Sequence, residues 1–220
     1  IQNTMFETLQ SYLPDGMTYD DFINGSDDKA VGIMSSIKVG PTIADDIKNN
    51  SFLAVIGSLI VVFLYILFRF LKWQFSLGAV VAVFHDVLIV LGIFSLTYKF
   101  MPFSMEINQA FIAAILTVIG YSLNDTVVVF DRIREFVKEH TKMKLDDTVN
   151  FALNNTLSRT LNTSLTTLIV LLAIFFFGGE SIRGFMFALI VGVIVGTYSS
   201  VFIATPVMYD TQKKSIDQEK

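Results

Sequence analysis

Long apolar runs alternate with short polar segments along the chain after residue 50. A helix that crosses the bilayer core needs about 20 mostly apolar residues, and lipid offers the backbone N–H and C=O groups no partner outside the helix. Several runs reach this length. The pattern therefore predicts an all-α polytopic membrane protein with five transmembrane helices, over residues 52–71, 76–98, 107–130, 157–177 and 185–209.

The composition supports a membrane protein and argues against several other classes. Apolar residues make up 53% of the chain, charged residues make up 16%, and the net charge is −4. Because there is no basic excess to neutralise phosphates, nucleic acid is not expected as a partner. The chain has no cysteine, and its histidines are His85 and His140. We therefore expect no disulfide, no thiolate chemistry and no metal site.

Lysine and arginine residues are concentrated in the connection 131–156 and in the tail 210–220. The connections at the other end of the predicted bundle carry only Lys99 and Arg183. Such an excess is typical of the cytoplasmic side of a membrane protein. The C-terminal tail is therefore predicted to be cytoplasmic, and residues 1–50 are predicted to be extracytoplasmic (periplasmic).

Residues 1–50 are predicted to form the closing part of a small α+β extracytoplasmic domain. We expect an amphipathic helix over 4–13, a strand over 30–39, and a further helix from Pro41, because proline is favoured at the first helical position. This acidic segment lacks the apolar core of a signal peptide. We therefore expect a further transmembrane helix upstream of Ile1.

The cytoplasmic connection 131–156 has the periodicity of helices. Phe130, Ile133 and Val137 would share one apolar face, and a second such face follows Asp146. Two short helices that lie along the inner membrane interface are therefore predicted. The alternative is a solvated, charged loop that only satisfies the charge preference of cytoplasmic segments.

Two ionisable residues inside the predicted spans, Asp125 and Arg159, are the leading candidates for function. A charged group in the bilayer costs about 2.5 to 3.5 kcal/mol on insertion scales, so such groups are a functional hypothesis by default. With a rise of about 1.5 Å per residue, both lie at a similar depth below the inner boundary, which allows them to pair. The alternatives are, for Asp125, a static ion pair or a hydrogen-bonded polar group of the core and, for Arg159, a long side chain that reaches the interface.

Polar residues accompany this pair on both helices. Asn124 lies beside Asp125, and the remaining members follow one face of the third span (Thr117, Tyr121) and of the fourth (Asn162 or Thr163, Thr166). Two facing stripes of this kind would hold water or relay a proton. The equal alternative is that these hydroxyl groups only hold the helices together.

His85 and Asp86 occupy the middle of the second span. Neighbouring residues on a helix point about 100° apart, so at most one of the two faces the third span. Asp86 is either a relay group or a buried carboxyl that is hydrogen-bonded to a neighbouring helix.

The last span carries a small residue at every fourth position, namely Gly184, Ala188, Gly192, Gly196, Ser200 and Ala204. A face of small side chains lets a helix approach another helix closely. We predict a packing surface for another transmembrane helix or for a further half of a larger bundle.

The run GYSLNDTVVVFDRIRE, at 120–135, resembles the signature of the SecF family, the smaller half of the SecD/SecF protein-export apparatus. Three further runs follow the order and spacing of that family, namely VGPTIADDI (39–47), FRFLKWQFSLGAVVAVFHDV (68–87) and SRTLNTSLTTL (158–168). The triplet that begins at Asn124 is more similar to SecF than to SecD. A C-terminal SecF half of a fused SecDF fits the same motifs.

The resemblance implies a half bundle of the resistance-nodulation-division superfamily in the bacterial cytoplasmic (inner) membrane. The expected partners are SecD or an upstream SecD half, the SecYEG channel, an unfolded preprotein and membrane lipids. The family drives preprotein translocation with an H⁺ or Na⁺ gradient, so we expect no other cofactor and no enzymatic activity. Asp125 and Arg159 match its ion-coupling residues, and the resemblance extends this role less directly to Asn124, Asp86 and His85.

The resulting hypothesis is an ion-coupled switch, in which Asp125 releases its proton when it pairs with Arg159 and takes one up when they separate. Each charge that crosses contributes about 2.3 kcal/mol per 100 mV, which can bias helix packing. The alternative is a passive structural subunit that stabilises a translocon assembly through the small-residue face. An intramembrane aspartyl protease built on Asp86 and Asp125 is disfavoured, because neither lies in a Gly-x-Gly-Asp context.

Overall fold

The computed structural model describes residues 2–14, 16–24, 41–140 and 143–218. Within these ranges the regular secondary structure is helical, without strands. The strand predicted over 30–39 lies outside the described residues. The chain divides into two compact units, Ile1–Asp46 and Ile47–Lys220.

In the first unit, helix α1 (Gln2–Leu9) is followed by a short 3₁₀ turn (Gln10–Tyr12) and by helix α2 (Tyr19–Asn24). The amphipathic helix predicted over 4–13 is thus observed as α1 followed by the 3₁₀ turn. The rings of Phe6 and Phe22 pack against each other with their centroids 5.4 Å apart. This contact joins α1 to α2.

The second unit contains the membrane helices. Five helical segments in the described part of the chain are long and apolar enough to cross a bilayer. They confirm the predicted all-α architecture with five spans. The segments are α3 (Pro41–Phe70), α4 (Trp73–Thr97), α5 (Gln109–Glu139), α6 (Leu145–Phe177), and α7 (Glu180–Ser199) with its continuation α8 (Thr205–Gln218).

The predicted pair of separate interfacial helices in the connection 131–156 is not observed. Instead, α5 continues without a break past Phe130 to Glu139, and α6 already begins at Leu145. No glycine or proline lies between Tyr121 and Glu139, and a change from apolar to charged side chains does not by itself end a helix. The charged ends of α5 and α6 are therefore rigid continuations of two membrane spans.

Helix α5 is the central helix of the bundle and packs against α4, α6 and α7. At one end of the bundle, an aromatic cluster joins it to α3 and α4. The ring of Phe70 stacks on Phe75 with a centroid separation of 5.0 Å, and Phe130 of α5 meets Phe75 edge-on at 5.1 Å. All three rings are buried. The aromatic cluster fixes the end of α3 on the rest of the bundle.

The small-residue face of the last span lies against α5 of the same chain. A Cβ atom at Gly192 would overlap the side chain of Val118, and one at Gly196 would lie 3.0 Å from the Cβ atom of Ser122. Near the start of α7, a Cβ atom at Gly184 would lie 2.5 Å from the carbonyl oxygen of Ser104. The last span can therefore approach α5 this closely only because these positions carry no side chain.

The winding of the last span changes at Ser200–Ala204, which is π-helical. The first turn of α8 contains Pro206, which has no backbone N–H to donate. The hydroxyl group of Thr205 instead donates a hydrogen bond to the carbonyl oxygen of Ser200 over 2.9 Å. Such segments locally bend a helix and occur frequently at functional sites.

The close approach of α7 to α5 predicts the effect of a single added methyl group. We expect Gly192→Ala to lower the free energy of unfolding by about 1 to 3 kcal/mol, because Val118 must move to make room. Thermal unfolding of the purified protein in detergent measures this loss.

Gly92 of α4 provides the matched control, because a Cβ atom there would have nothing within 4 Å. Gly92→Ala should leave the unfolding midpoint unchanged or raise it. Combining Gly192→Ala with Val118→Ala should recover part of the loss. Equal effects of the two alanine variants would contradict the packing argument.

Candidate functional site within the bundle

The carboxylate of Asp86 joins three helices at the centre of the bundle. Asp86 lies on α4 and is only 1% exposed. Its Oδ2 atom accepts hydrogen bonds from the hydroxyl groups of Ser122 on α5 (2.6 Å) and Ser199 on α7 (2.8 Å). Its Oδ1 atom lies 3.1 Å from Nδ1 of His85. Asp86 therefore has hydrogen-bonding partners for both of its oxygens.

The carboxylate of Asp125 joins a second set of helices. Asp125 lies on α5 and is 3% exposed. Its Oδ2 atom accepts a hydrogen bond from the hydroxyl group of Ser164 on α6 over 3.2 Å. The Ser164 hydroxyl in turn accepts one from Thr197 on α7 over 2.6 Å. Asp125 is thus linked to α6 directly and to α7 through Ser164.

The two aspartates belong to one polar layer, which we call the carboxylate layer. Ser122 and Asp125 are about one turn apart on α5, so they present their side chains to neighbouring helices from nearly the same face. Residues two apart on a helix point about 200° apart, so Thr197 faces α6 while Ser199 faces α4. The carboxylate layer consists of Asp86, Ser122, Asp125, Ser164, Thr197 and Ser199.

Helix geometry predicts that at most one of His85 and Asp86 faces the third span. In the structure, Asp86 contacts Ser122 on that span, whereas His85 turns toward α7. The imidazole is half-buried and its ring centroid lies 5.8 Å from that of Tyr198. His85 therefore borders the carboxylate layer without bridging α4 and α5.

Asp125 and Arg159 lie on adjacent helices, but they do not form an ion pair. The Asp125 carboxylate and the Arg159 guanidinium are farther apart than the 4.0 Å of a salt bridge. Arg159 is exposed and lines an open cavity of 460 Å³, whose other polar lining residues are Asp131, Arg132, Glu135, Asn155 and Thr156. Asn124 is also exposed on the outer side of α5. The structure thus separates the buried acid from the exposed base.

The predicted pair of facing polar stripes is only partly present. Tyr121 on α5 does reach α6, where its hydroxyl group donates to Thr167 Oγ1 over 3.2 Å. However, Asn162 and Thr166 point to the exposed side of α6, and Thr117 donates only to a carbonyl of its own helix. Helix α6 turns a different face inward. That inward face carries Thr156, Thr160 and Ser164.

The sequence pattern does not single out the groups that bind the two carboxylates. These groups are hydroxyls of serine and threonine, which are common in membrane helices and usually bond to their own backbone. They belong to Ser122, Ser164, Thr197 and Ser199. A signal was nevertheless present. Ser122 lies one turn before Asp125, and Ser199 lies beside the small-residue face of the last span, where a helix is expected to come close to its neighbour.

Comparisons with known proteins agree with this architecture. Residues 20–214 match the family described as protein export membrane protein SecD/SecF, C-terminal. The protein translocase subunit SecF of Rhodothermus marinus is 56% identical over 177 residues, which cover 80% of this chain and 57% of that protein. The SecF subunit of Thermodesulfovibrio yellowstonii is 43% identical over 98% of this chain and 67% of its own length.

The chain belongs to the SecD/SecF family. This confirms the resemblance to SecF, or to the SecF half of a SecDF protein, that the motifs indicate. The protein translocase subunit SecDF of Brucella abortus is 48% identical over 77% of this chain and 22% of that protein. A crystal structure of SecDF in a super-membrane-facing form matches 82% of this chain with a TM-score of 0.71 and 40% identity.

This SecD/SecF family member spans only part of the proteins that it matches. It covers 57% of the Rhodothermus relative, and 23% of the chain in the SecDF crystal structure. The family match over residues 20–214 includes the membrane helices, and hence the residues of the carboxylate layer.

The hydrogen bond from Ser199 to Asp86 predicts a loss of stability on its removal. Ser199→Ala should lower the free energy of unfolding of this SecD/SecF family protein by about 1 to 2 kcal/mol, because one buried acceptor loses a donor. Thermal unfolding in detergent tests this expectation.

Thr166 is the matched control for that experiment. Its hydroxyl group donates only to carbonyl oxygens of its own helix, those of Asn162 and Thr163. Thr166→Ala should therefore leave the unfolding midpoint nearly unchanged. If both variants unfold at the same temperature, Ser199 does not stabilise Asp86.

Proposed function

We propose that this chain is a SecF-type subunit that couples an H⁺ or Na⁺ gradient to late steps of preprotein translocation through SecYEG. The observation that carries the proposal is the unequal hydrogen bonding of the two buried carboxylates. The names of the relatives, protein translocase subunits SecF and SecDF, support the assignment to protein export. Residues that serve ion coupling must change partners during a cycle, and Asp125 is placed to do so.

Asp86 and Asp125 differ in how completely they are satisfied. An ionised carboxylate has about four lone-pair sites for hydrogen bonds. Asp86 contacts two hydroxyl groups and an imidazole, whereas Ser164 is the one hydrogen-bond donor to Asp125 among the described residues. A buried carboxylate with so few donors is costly in its charged form. Of the two aspartates, Asp125 is therefore the one whose buried carboxyl group is stabilised more by a bound proton, or by a cation as a second partner beside Ser164.

Arg159 is the cation that can supply the second partner. Arg159 lies on α6 and lines the open cavity. Its long side chain allows the guanidinium to move while the helix stays in place. In the proposed cycle, Asp125 is protonated while the arginine is separate, and releases the proton when the guanidinium approaches. The cavity beside Arg159 is open, so water can reach the guanidinium.

The membrane potential supplies energy to this cycle. Moving one elementary charge across the membrane contributes about 2.3 kcal/mol per 100 mV. That is of the same order as the cost of a charged side chain in the bilayer, about 2.5 to 3.5 kcal/mol. The potential can therefore shift the balance between the paired and separated forms. Because Ser164 and Thr197 bind the same carboxylate network, such a shift acts on α6 and α7 together.

The exposed polar residues of α5 and α6 support a partner within the membrane. Asn124, Asn162 and Thr166 are exposed along the outer side of these two helices. Polar side chains in a membrane usually face another protein surface or water rather than lipid. SecD, or an upstream SecD half, is the proposed partner of this side, and the remaining apolar surface faces lipid.

The passive structural alternative relied on the small-residue face as a surface that holds an assembly together. In the structure, Gly192 and Gly196 of this face are buried against α5 of the same chain. They are therefore used for internal packing. This observation favours the ion-coupled proposal.

The central prediction concerns Asp125→Asn. This variant keeps the size of the side chain and its bond to Ser164, but it cannot exchange a proton. We expect normal membrane insertion together with a loss of gradient-dependent preprotein export and of ion flux. Export into membrane vesicles under an imposed gradient, with flux followed by a pH-sensitive or sodium-sensitive dye, measures both.

Asp147→Asn is the matched control, because Asp147 is exposed near the start of α6. It makes the same chemical change outside the carboxylate layer and should leave export and flux at the level of the unaltered protein. Normal export and normal flux in Asp125→Asn would remove Asp125 from the mechanism and leave the structural subunit as the better explanation.

Arg159→Gln tests the second partner of the proposed pair. It should reduce gradient-dependent export strongly, because the charged form of Asp125 then lacks its cation. Arg183→Gln serves as the control, since Arg183 pairs with Glu180 of its own helix at the other end of the bundle. Equal export in the two variants would contradict a specific role for Arg159.

A further inference from the structure

A cavity of 280 Å³ lies where the end of α3, the start of α4, the end of α5 and the side of α8 meet. It lies outside the carboxylate layer, and the proposed ion coupling makes no use of it. The aromatic cluster forms part of its apolar wall through Phe70 and Phe75. Three cations also line it, Lys72, Arg134 and Lys138, and no acidic residue is among the described residues of its lining.

The position of Arg134 in this cavity is fixed by its neighbours. Its Nη2 donates to Asp131 over 2.8 Å, and its Nη1 donates to the carbonyl oxygen of Arg69 over 3.0 Å. The guanidinium also lies 5.0 Å from the ring centroid of Phe70. An arginine held in this way loses little conformational entropy when it binds an anion.

The local charge balance is positive. Asp131 is shared by Arg134 and Arg69, the latter at 2.9 Å, so one carboxylate faces two guanidinium groups. Lys72 and Lys138 are exposed, and neither forms an ion pair with a carboxylate among the described residues. The cavity therefore presents an excess of positive charge beside an apolar wall.

The cavity lies at the boundary of the apolar part of the bundle. The apolar span of α3 ends at Phe70, and Leu71 turns the chain with a positive φ of 58°. Trp73, the first residue of α4, is 51% exposed. Tryptophan is enriched at the level of lipid head groups, and basic pockets between membrane helices at this level bind anionic head groups.

The back of the cavity contains an acceptor without a donor. Gln212 of α8 is 6% exposed, lines the cavity, and its Oε1 atom has no hydrogen-bond partner. A buried amide oxygen without a partner is costly. Because the Oε1 atom is enclosed, the Gln212 side chain must rotate toward the cavity to accept a hydrogen bond from a ligand hydroxyl group. The ligand chemistry that matches all groups is a phosphate joined to a hydroxyl-bearing head group and to apolar chains.

We propose that this cavity binds the head group of an anionic phospholipid of the phosphatidylglycerol class. The phosphate lies among Lys72, Arg134 and Lys138, and a glycerol hydroxyl donates to Gln212. The acyl chains leave along the exposed apolar side of α3, where Phe68 is 75% exposed and Leu71 is 83% exposed. The bound lipid would join α3 to α8 at the end of the bundle.

The test measures lipid binding to the full chain in detergent by native mass spectrometry, with dioleoyl phosphatidylglycerol as the probe. We expect phosphatidylglycerol to bind more tightly than dioleoyl phosphatidylcholine. The double variant Lys72→Gln/Lys138→Gln should bind phosphatidylglycerol about 25-fold more weakly, because each cation near a membrane surface contributes about fivefold to the binding of anionic lipid. Both lysines are exposed, so the variant should remain folded.

The control is Lys144→Gln/Lys214→Gln, which removes the same charge from exposed positions outside the cavity lining. It should change phosphatidylglycerol binding less than twofold. Equal weakening in both double variants would show a general effect of net charge and would overturn the site. Equal binding of the two lipids, or displacement of phosphatidylglycerol by millimolar inorganic phosphate, would overturn a lipid head-group site.

The role of Gln212 has its own measurement. Phosphatidylmethanol carries the same single negative charge as phosphatidylglycerol but has no head-group hydroxyl. The unaltered protein should prefer phosphatidylglycerol, and Gln212→Leu should lose this preference while still binding both lipids better than phosphatidylcholine. An unchanged preference in Gln212→Leu would overturn the assignment of the hydroxyl to Gln212.

Discussion

The close contact between α7 and α5 is the constraint on which the rest of the membrane bundle depends. At Gly192 and Gly196 the two helices come so near that no side chain fits between them. This distance brings the hydroxyl group of Ser199 within reach of Asp86 and that of Thr197 within reach of Ser164. A wider separation would take Ser199 away from Asp86 and Thr197 away from Ser164, and lipid cannot replace either donor.

The two buried carboxylates are stabilised by different sets of hydrogen-bonding partners. Asp86 is surrounded by donors from α5 and α7 and by a neighbouring imidazole, so its position is tied to the packing of three helices. Asp125 has one hydroxyl partner in the described part of the chain, and its candidate cation lies on the exposed side of the next helix. The first arrangement favours rigidity, and the second favours a change of partner.

The continuous helices α5 and α6 connect this layer to the charged end of the bundle. Asp125 and the ion-paired Asp131 lie on the same uninterrupted helix, as do Ser164 and the exposed residues near Leu145. A shift of either helix at the carboxylate layer therefore reaches that end without being absorbed by a flexible loop. The cavity lined by Phe70, Lys72, Arg134 and Gln212 lies at the same end, where the end of α3 and the side of α8 meet the end of α5.

The sequence alone was sufficient for the large features and for the identity of the charged residues. The five spans follow from the length of the apolar runs, and the family follows from four motifs in the right order. Asp125, Arg159 and Asp86 stand out as candidates because a charged group in lipid is costly. Hydropathy does not predict the continuation of α5 past Phe130, because the change from apolar to charged side chains there also marks the end of a membrane span. The strand over 30–39 and the expected ion coupling stay predictions.

Only the tertiary structure decided which side chains meet. Periodicity groups Asn162, Thr163 and Thr166 on one face of α6, yet it cannot say which face turns inward, and the inward face carries Thr160 and Ser164. Likewise, Lys72, Lys138 and Gln212 are far apart in the chain and form one cavity only through helix packing. Hydropathy is a property of each segment and is set by the sequence, whereas rotation and contact belong to pairs of helices and depend on how their surfaces fit.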